Sequence, residues 1–119
     1  MEINEQERLM VQKKIYSLLG LSGKAGSLAS GEFSTEKSVK EGRAKLVIIA
    51  GDASENTKKM FCSMCDYYNV PYFIFSDKET LGHKIGKEIR TSVAVKDEGM
   101  AKEIKKQFIV LSGLEREVK

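Results

Sequence analysis

The chain has 119 residues and carries 20 lysine and arginine side chains against 17 carboxylates, a net charge of +3. That length suits one domain with its own core; an apolar share of 41% with a single proline, Pro71, excludes a disordered, linker-rich chain. No apolar run approaches the about 18 residues of a membrane span, the acidic opening Met1-Glu2-Ile3-Asn4-Glu5 does not read as a signal peptide, and the expected compartment is the cytoplasm, where thiols stay reduced.

The first predicted helix runs from Asn4, its cap, to about Leu21, with Glu5 and Glu7 at its positive end. Val11, Ile15, Leu18 and Leu19 fall at i, i+4, i+7 and i+8 and form one buried stripe. Gly20, Gly23 and Gly26 then predict a loop over Leu21–Ser27. Its Gly-Lys pair is not a phosphate loop, because the glycine spacing is wrong and no strand precedes it.

Leu28-Ala29-Ser30 is a short extended piece. A second helix starts at Ser30 or Gly31 and ends at about Gly42, with Val39 inward and Lys37, Lys40 and Glu41 outward. Leu46-Val47-Ile48-Ile49-Ala50 is continuously apolar and rich in β-branched residues. Such a strand is buried on both faces, which implies helices on both sides of a sheet.

Ser54 caps a third helix over Glu55–Tyr68, with Phe61, Cys65 and Tyr68 on one line and Met60, Met64 and Tyr67 on the next. Tyr72-Phe73-Ile74-Phe75 reads as a further buried strand. Asp77 or Ser76 caps a short helix holding Leu81 and Ile85, and Ser92-Val93-Ala94-Val95 is another strand. A last helix runs from Glu98 to about Leu111, with Met100, Ile104, Phe108 and Leu111 inward; residues 1–4 and 113–119 are expected to fray. Strands alternating with helices predict an α/β fold: one domain over residues 1–119, a three-layer α/β/α sandwich around a small mixed, mostly parallel sheet.

Catalytic chemistry is not evident. The single histidine, His83, stands beside Lys84 and reads as a solvated surface residue. Cys62 and Cys65 form a CxxC with no second ligand pair, as a structural zinc site requires. They also lie inside a helix rather than at its N-terminus, where a redox thiol is activated. No carboxylate pair stands out as acid and base, so neither an enzyme nor a cofactor is expected.

Binding chemistry is better supplied. The stretch Lys37–Lys45 holds Lys37, Lys40, Arg43 and Lys45 against one acid, Glu41. Helix starts offer free N–H donors and partial positive charge, and Gly31 has no side chain to keep a partner's backbone away. Three loops are expected to share an edge: Ser30–Lys37, Gly51–Lys58, and Lys78 through Arg90-Thr91-Ser92-Val93. Lys37, Lys58, Lys78 and Arg90 would then face phosphates. Taken alone, ordinary solvated lysines beside ordinary caps explain the pattern at least as well.

From Leu18 to Val95 the sequence resembles the ribosomal large-subunit L7Ae/L30e superfamily of kink-turn RNA-binding proteins, most closely its small bacterial YlxQ-type branch. The resemblance lies in Leu19-Gly20-Leu21 with Lys24-Ala25-Gly26, in Ser30-Gly31 through Lys37, and in Ala44-Lys45-Leu46-Val47-Ile48-Ile49-Ala50-Gly51-Asp52-Ala53-Ser54. It continues in Cys65, Val70-Pro71-Tyr72, Leu81-Gly82 with Gly86, and Val93-Ala94-Val95. It implies a three-layer sandwich that binds a kinked RNA duplex with tandem sheared G·A pairs, ribosomal RNA included, as a monomer beside possible ribosomal protein partners. The family's recognition helix begins Gly-x-Asn-Glu-x-x-Lys. Gly31 and Lys37 keep that frame, whereas Phe33 and Ser34 replace the Asn and Glu that read guanine edges. Glu32, one position early, would supply a carboxylate if it turned inward. Phe33 either stacks on a base or packs into the core. Gly51 stands where the family commonly has an acid, and Lys78 holds the basic position before Leu-Gly. Arg90, Thr91, Ser92 and Val93 fall on the loop that covers an extruded base. The alternative from another class is a protein-interaction module using the same edge without specific RNA readout.

Overall fold

Leu46, Val47, Ile48 and Ile49 have no exposed surface, and they divide between two cores. Leu46 and Ile48 join Ile15, Leu19, Ile104 and Phe108, while Val47 and Ile49 join Val39, Phe61 and Cys65. Alternation along one strand thus feeds both faces of a sheet, as side chains of period two require. Fully burying a side chain such as Phe61 contributes roughly 1.5–3 kcal/mol.

The computed structural model describes residues 5–117. In chain order these form α1 (Glu5–Lys24), β1 (Leu28–Ser30), α2 (Glu32–Lys40), β2 (Leu46–Ile49), α3 (Glu55–Tyr68), β3 (Tyr72–Ile74), α4 (Lys78–Lys84), β4 (Ser92–Val95) and α5 (Glu98–Glu117). Helices α1, α4 and α5 supply the first core and α2 and α3 the second, so the three-layer sandwich expected above is the fold. No helix among the described residues is long and apolar enough to cross a membrane.

The sheet order is β1-β4-β2-β3. Only β2 and β3 pair in parallel; β4 pairs antiparallel with both β1 and β2. The sheet is mixed as expected but not mostly parallel in its pairings. The cause is α4. Its seven residues carry the chain only about 10 Å, and residues 85–91 then double back, so that the Arg90 N–H donates to the Lys78 carbonyl at 2.9 Å. Strand β4 therefore starts at the end of the sheet where β1, β2 and β3 finish.

Further expectations change. Helix α1 runs through Gly20 and Gly23 to Lys24 instead of ending at Leu21. Gly20 serves close packing: a methyl there would stand 3.4 Å from the Lys84 carbonyl oxygen. Buried Ser22 satisfies its hydroxyl on the Leu18 carbonyl at 2.9 Å. Strand β3 is an edge strand with Ile74 exposed, not a buried one. Phe73 and Phe75 still anchor it through Phe108, with ring centroids 4.2 and 5.1 Å apart. Helix α5 continues past Leu111 to Glu117; the expectations for 1–4, the Asn4 cap among them, and for 118–119 lie outside the described residues. On α3, Tyr67 and Tyr68 face solvent, leaving Phe61 and Cys65 as its buried residues.

Candidate nucleic-acid interface

Helices α2, α3 and α4 follow β1, β2 and β3, so their N-terminal ends meet at one edge of the sheet, together with the start of β4. Hydrogen bonds join these segments in a circuit. The Gly31 N–H donates to the Ser92 carbonyl at 2.8 Å, and Ala50 N–H to Thr91 O at 2.9 Å. Gly51 N–H reaches Ser76 O at 2.8 Å, and Lys78 N–H reaches Asp52 Oδ1 at 2.8 Å. The Thr57 hydroxyl donates to Glu32 Oε2 at 3.3 Å, closing the ring. Three helix ends, each equivalent to roughly half a positive charge, thereby face one surface.

The three ends are finished differently. Ser54 caps α3 by accepting from Thr57 N–H at 3.1 Å. Asp77 caps α4 by accepting from Thr80 N–H at 2.7 Å, and the Thr80 amide and hydroxyl hold the Asp77 carboxyl below its usual range. Helix α2 has Gly31 at its cap and no side-chain hydrogen bond there. Gly31 sits at φ 95°, ψ 160°, a conformation essentially reserved for glycine. The amides of Glu32, Phe33 and Ser34 precede the first intrahelical bond, Thr35 N–H to Gly31 O at 2.9 Å, and are left for an external acceptor.

Arg90 lies across this uncapped start. Its Nε donates to Ser30 Oγ at 3.1 Å and one terminal nitrogen to the Ile89 carbonyl at 2.8 Å. A methyl on Gly31 would meet Arg90 Cδ at 3.8 Å. The Lys78 carbonyl accepts from the Arg90 N–H at 2.9 Å, which sets these two residues side by side in the backbone. Lys37 faces a shallow groove whose other walls include Ser30, Ser34 and Lys87; its ammonium stands 4.0 Å from Glu41 in an exposed pair, too open to hold it in place.

The remaining expected residues divide. Phe33 is 78% exposed, so its ring projects outward and the core-packing alternative is excluded. Ser34 is exposed beside Lys37. The Glu32 carboxylate turns to Thr57 on α3. Lys58 donates to the Gly51 carbonyl at 2.9 Å and pairs with Glu55 at 3.2 Å, so it braces the β2–α3 turn. Ser92 and Val93 are 0% exposed and do not belong to a contact surface: β4 lies between β1 and β2 with helices on both faces. Thr91 is half-buried. The apolar residue that this loop does expose is Ile89, at 54%, which sequence reasoning missed. An isoleucine among Lys87, Glu88 and Arg90 signalled it.

Cys62 and Cys65 are free thiols. Burial, with smaller contributions from Cys62 and Asp66, pushes Cys65 up to about 12, which keeps it protonated and unreactive. His83 is exposed. Among the described residues no three histidine, cysteine or acidic side chains gather as metal ligands.

Residues 13–105 match the model of the ribosomal protein L7Ae/L30e/S12e/Gadd45 family. The chain is 44% identical over 89 residues to an RNA-binding protein, YlxQ, of Bacillus subtilis, covering 75% of this chain and 89% of that one. It is 32% identical over 100 residues to the large ribosomal subunit protein eL8 of Thermoplasma acidophilum, covering 83% of each. Among solved structures, a Bacillus halodurans C protein of unknown function superposes with a TM-score of 0.78 at 35% identity, covering 81% of this chain and 97% of that one. A Giardia lamblia 15.5 kD RNA-binding protein superposes with 0.72 at 20% identity, covering 95% and 93%, a likeness of fold.

Proposed function

This chain belongs to the ribosomal protein L7Ae/L30e/S12e/Gadd45 family, and from that membership we propose that it is a non-enzymatic RNA-binding protein of the ribosome-related kind, recognising a kinked RNA duplex. The observation that carries the reading is the start of α2. It is the one of three converging helix ends that no side chain caps, and Arg90 is laid across it.

Three free amides with a glycine at their head suit the acceptor atoms of phosphates or base edges. Arg90, Lys78 and Lys37 supply positive charge to the strands entering and leaving the bend. Phe33 offers a ring on which an unpaired base stacks, worth roughly 1–3 kcal/mol. Ile89 is the exposed apolar cover for a base turned out of the helix. Phe33 and Ser34 cannot reproduce the paired guanine contacts of an Asn and a Glu, so readout here leans on backbone amides, stacking and the shape of the bend, as is common for RNA.

The test is a salt titration. Affinity for a kinked duplex falls as salt rises, and Lys37→Ala makes the slope of log affinity against log salt shallower by about 1. A Lys37→Ala protein with unchanged affinity and slope removes Lys37 from the interface.

A further inference from the structure

We infer that a second basic groove, on the flank of edge strand β1, holds the sugar–phosphate backbone of one helical arm of the bound RNA, extending the contact beyond the bend. This rests on the RNA reading above.

The groove passes between α1, from Lys13 to Lys24, and the end of α4. Its cations are Lys13, Lys24, Lys84 and Lys87. No acidic residue lines it. None of the four ammonium groups is in an ion pair among the described residues, whereas Lys37, Lys40, Arg43 and Lys58 all are. Four unpaired like charges around one channel destabilise one another, and a polyanion relieves that repulsion.

The channel floor includes Gly20 and Gly23, which pack against the Lys84 carbonyl and the Leu28 side chain. Ser30 and Lys87 also line the neighbouring groove that Lys37 faces. The basic path is therefore continuous with the α2 edge. A duplex arm leaving the bend would run along it.

The chemistry of the lining selects phosphate over bases. Lysine is a point charge without the fork that reads base edges. The one aromatic ring, Tyr16, is covered by the Lys84 ammonium at 5.3 Å and hydrogen-bonded through its hydroxyl to Ser76 at 2.7 Å, so it offers no stacking face. The groove thus contributes affinity without sequence preference.

The experiment uses the full chain with three RNAs: a kinked duplex with short arms, the same kink with one arm lengthened by about a helical turn, and a straight duplex of equal length. Wild type is compared with Lys13→Gln/Lys24→Gln/Lys84→Gln, whose fold is checked by circular dichroism. With the wild type, the longer arm is expected to raise affinity about tenfold at low salt. The triple variant keeps the short-armed affinity, loses that gain, and shows a slope shallower by about 2–3 on the long-armed RNA. A triple variant that keeps both the gain and the slope overturns the groove while leaving the α2 edge intact. Equal wild-type affinity for the short-armed kinked and straight duplexes overturns the kinked-RNA reading instead. Displacement of the longer arm by polyglutamate at matched charge and ionic strength, without displacement of the short-armed RNA, shows a site for acidic protein and also overturns the proposal.

Discussion

Arg90 Nε donates to the Ser30 hydroxyl at 3.1 Å, which lays the arginine stem against the bare Cα of Gly31, with Cδ at 3.8 Å from where a methyl would stand. The last residue of β1 and the loop before β4 thus fix a cation over the start of α2. Gly31→Ala forces an alanine into φ 95°, at a cost of about 1–3 kcal/mol. Urea unfolding is expected to show that loss with an unchanged m-value, and affinity for a kinked RNA to fall with it. Wild-type stability in the alanine variant would show that the cap relaxes freely.

Phe33 is the second test. With 78% of its surface exposed, Phe33→Ala is expected to leave unfolding stability within about 0.5 kcal/mol of wild type. It is expected to weaken RNA binding by roughly 1–3 kcal/mol if the ring stacks on a base. Calorimetric or fluorescence titration separates the two effects. A variant that loses stability but not affinity would return Phe33 to a packing role.

Beneath the same edge, Thr35 Oγ1 and Ser92 Oγ are buried without a hydrogen-bond partner among the described residues. A buried hydroxyl left unsatisfied costs about 1–3 kcal/mol. Thr35→Val keeps the branched shape and removes the orphan oxygen, so it is expected to stabilise the fold by about 1 kcal/mol in urea unfolding. Destabilisation would mean that the hydroxyl is satisfied in solution.

Much of this arrangement was legible in the residues. Ser54 and Asp77 announced their helices by cap chemistry, and Leu46–Ile49 announced two helical layers by leaving no polar face. Sequence periodicity does not reveal how short α4 is relative to its return loop, and that geometry inverts β4. The same inversion buries Ser92 and Val93, which a linear motif assigned to the surface, and leaves Ile89 outside. Gly20 and Gly23 were read as helix breakers because propensity ranks glycine low. Here Gly20 gives the end of α4 room to approach α1, a tertiary demand that outweighs a local cost of about 1 kcal/mol. The basic groove is not legible in the sequence because Lys13 and Lys24 on α1 and Lys84 and Lys87 at the end of α4 are brought together only by folding, from two distant segments.

The most direct test of the central claim is the affinity of the wild-type chain and of Arg90→Ala for two duplexes, one kinked by tandem sheared G·A pairs and one with those pairs replaced by Watson–Crick pairs. Near physiological salt, the wild type is expected to favour the kinked RNA by tenfold or more, about 1.4 kcal/mol, and Arg90→Ala to lose most of that preference. Equal wild-type affinity for the two duplexes, or a preference untouched by the loss of Arg90, would contradict it.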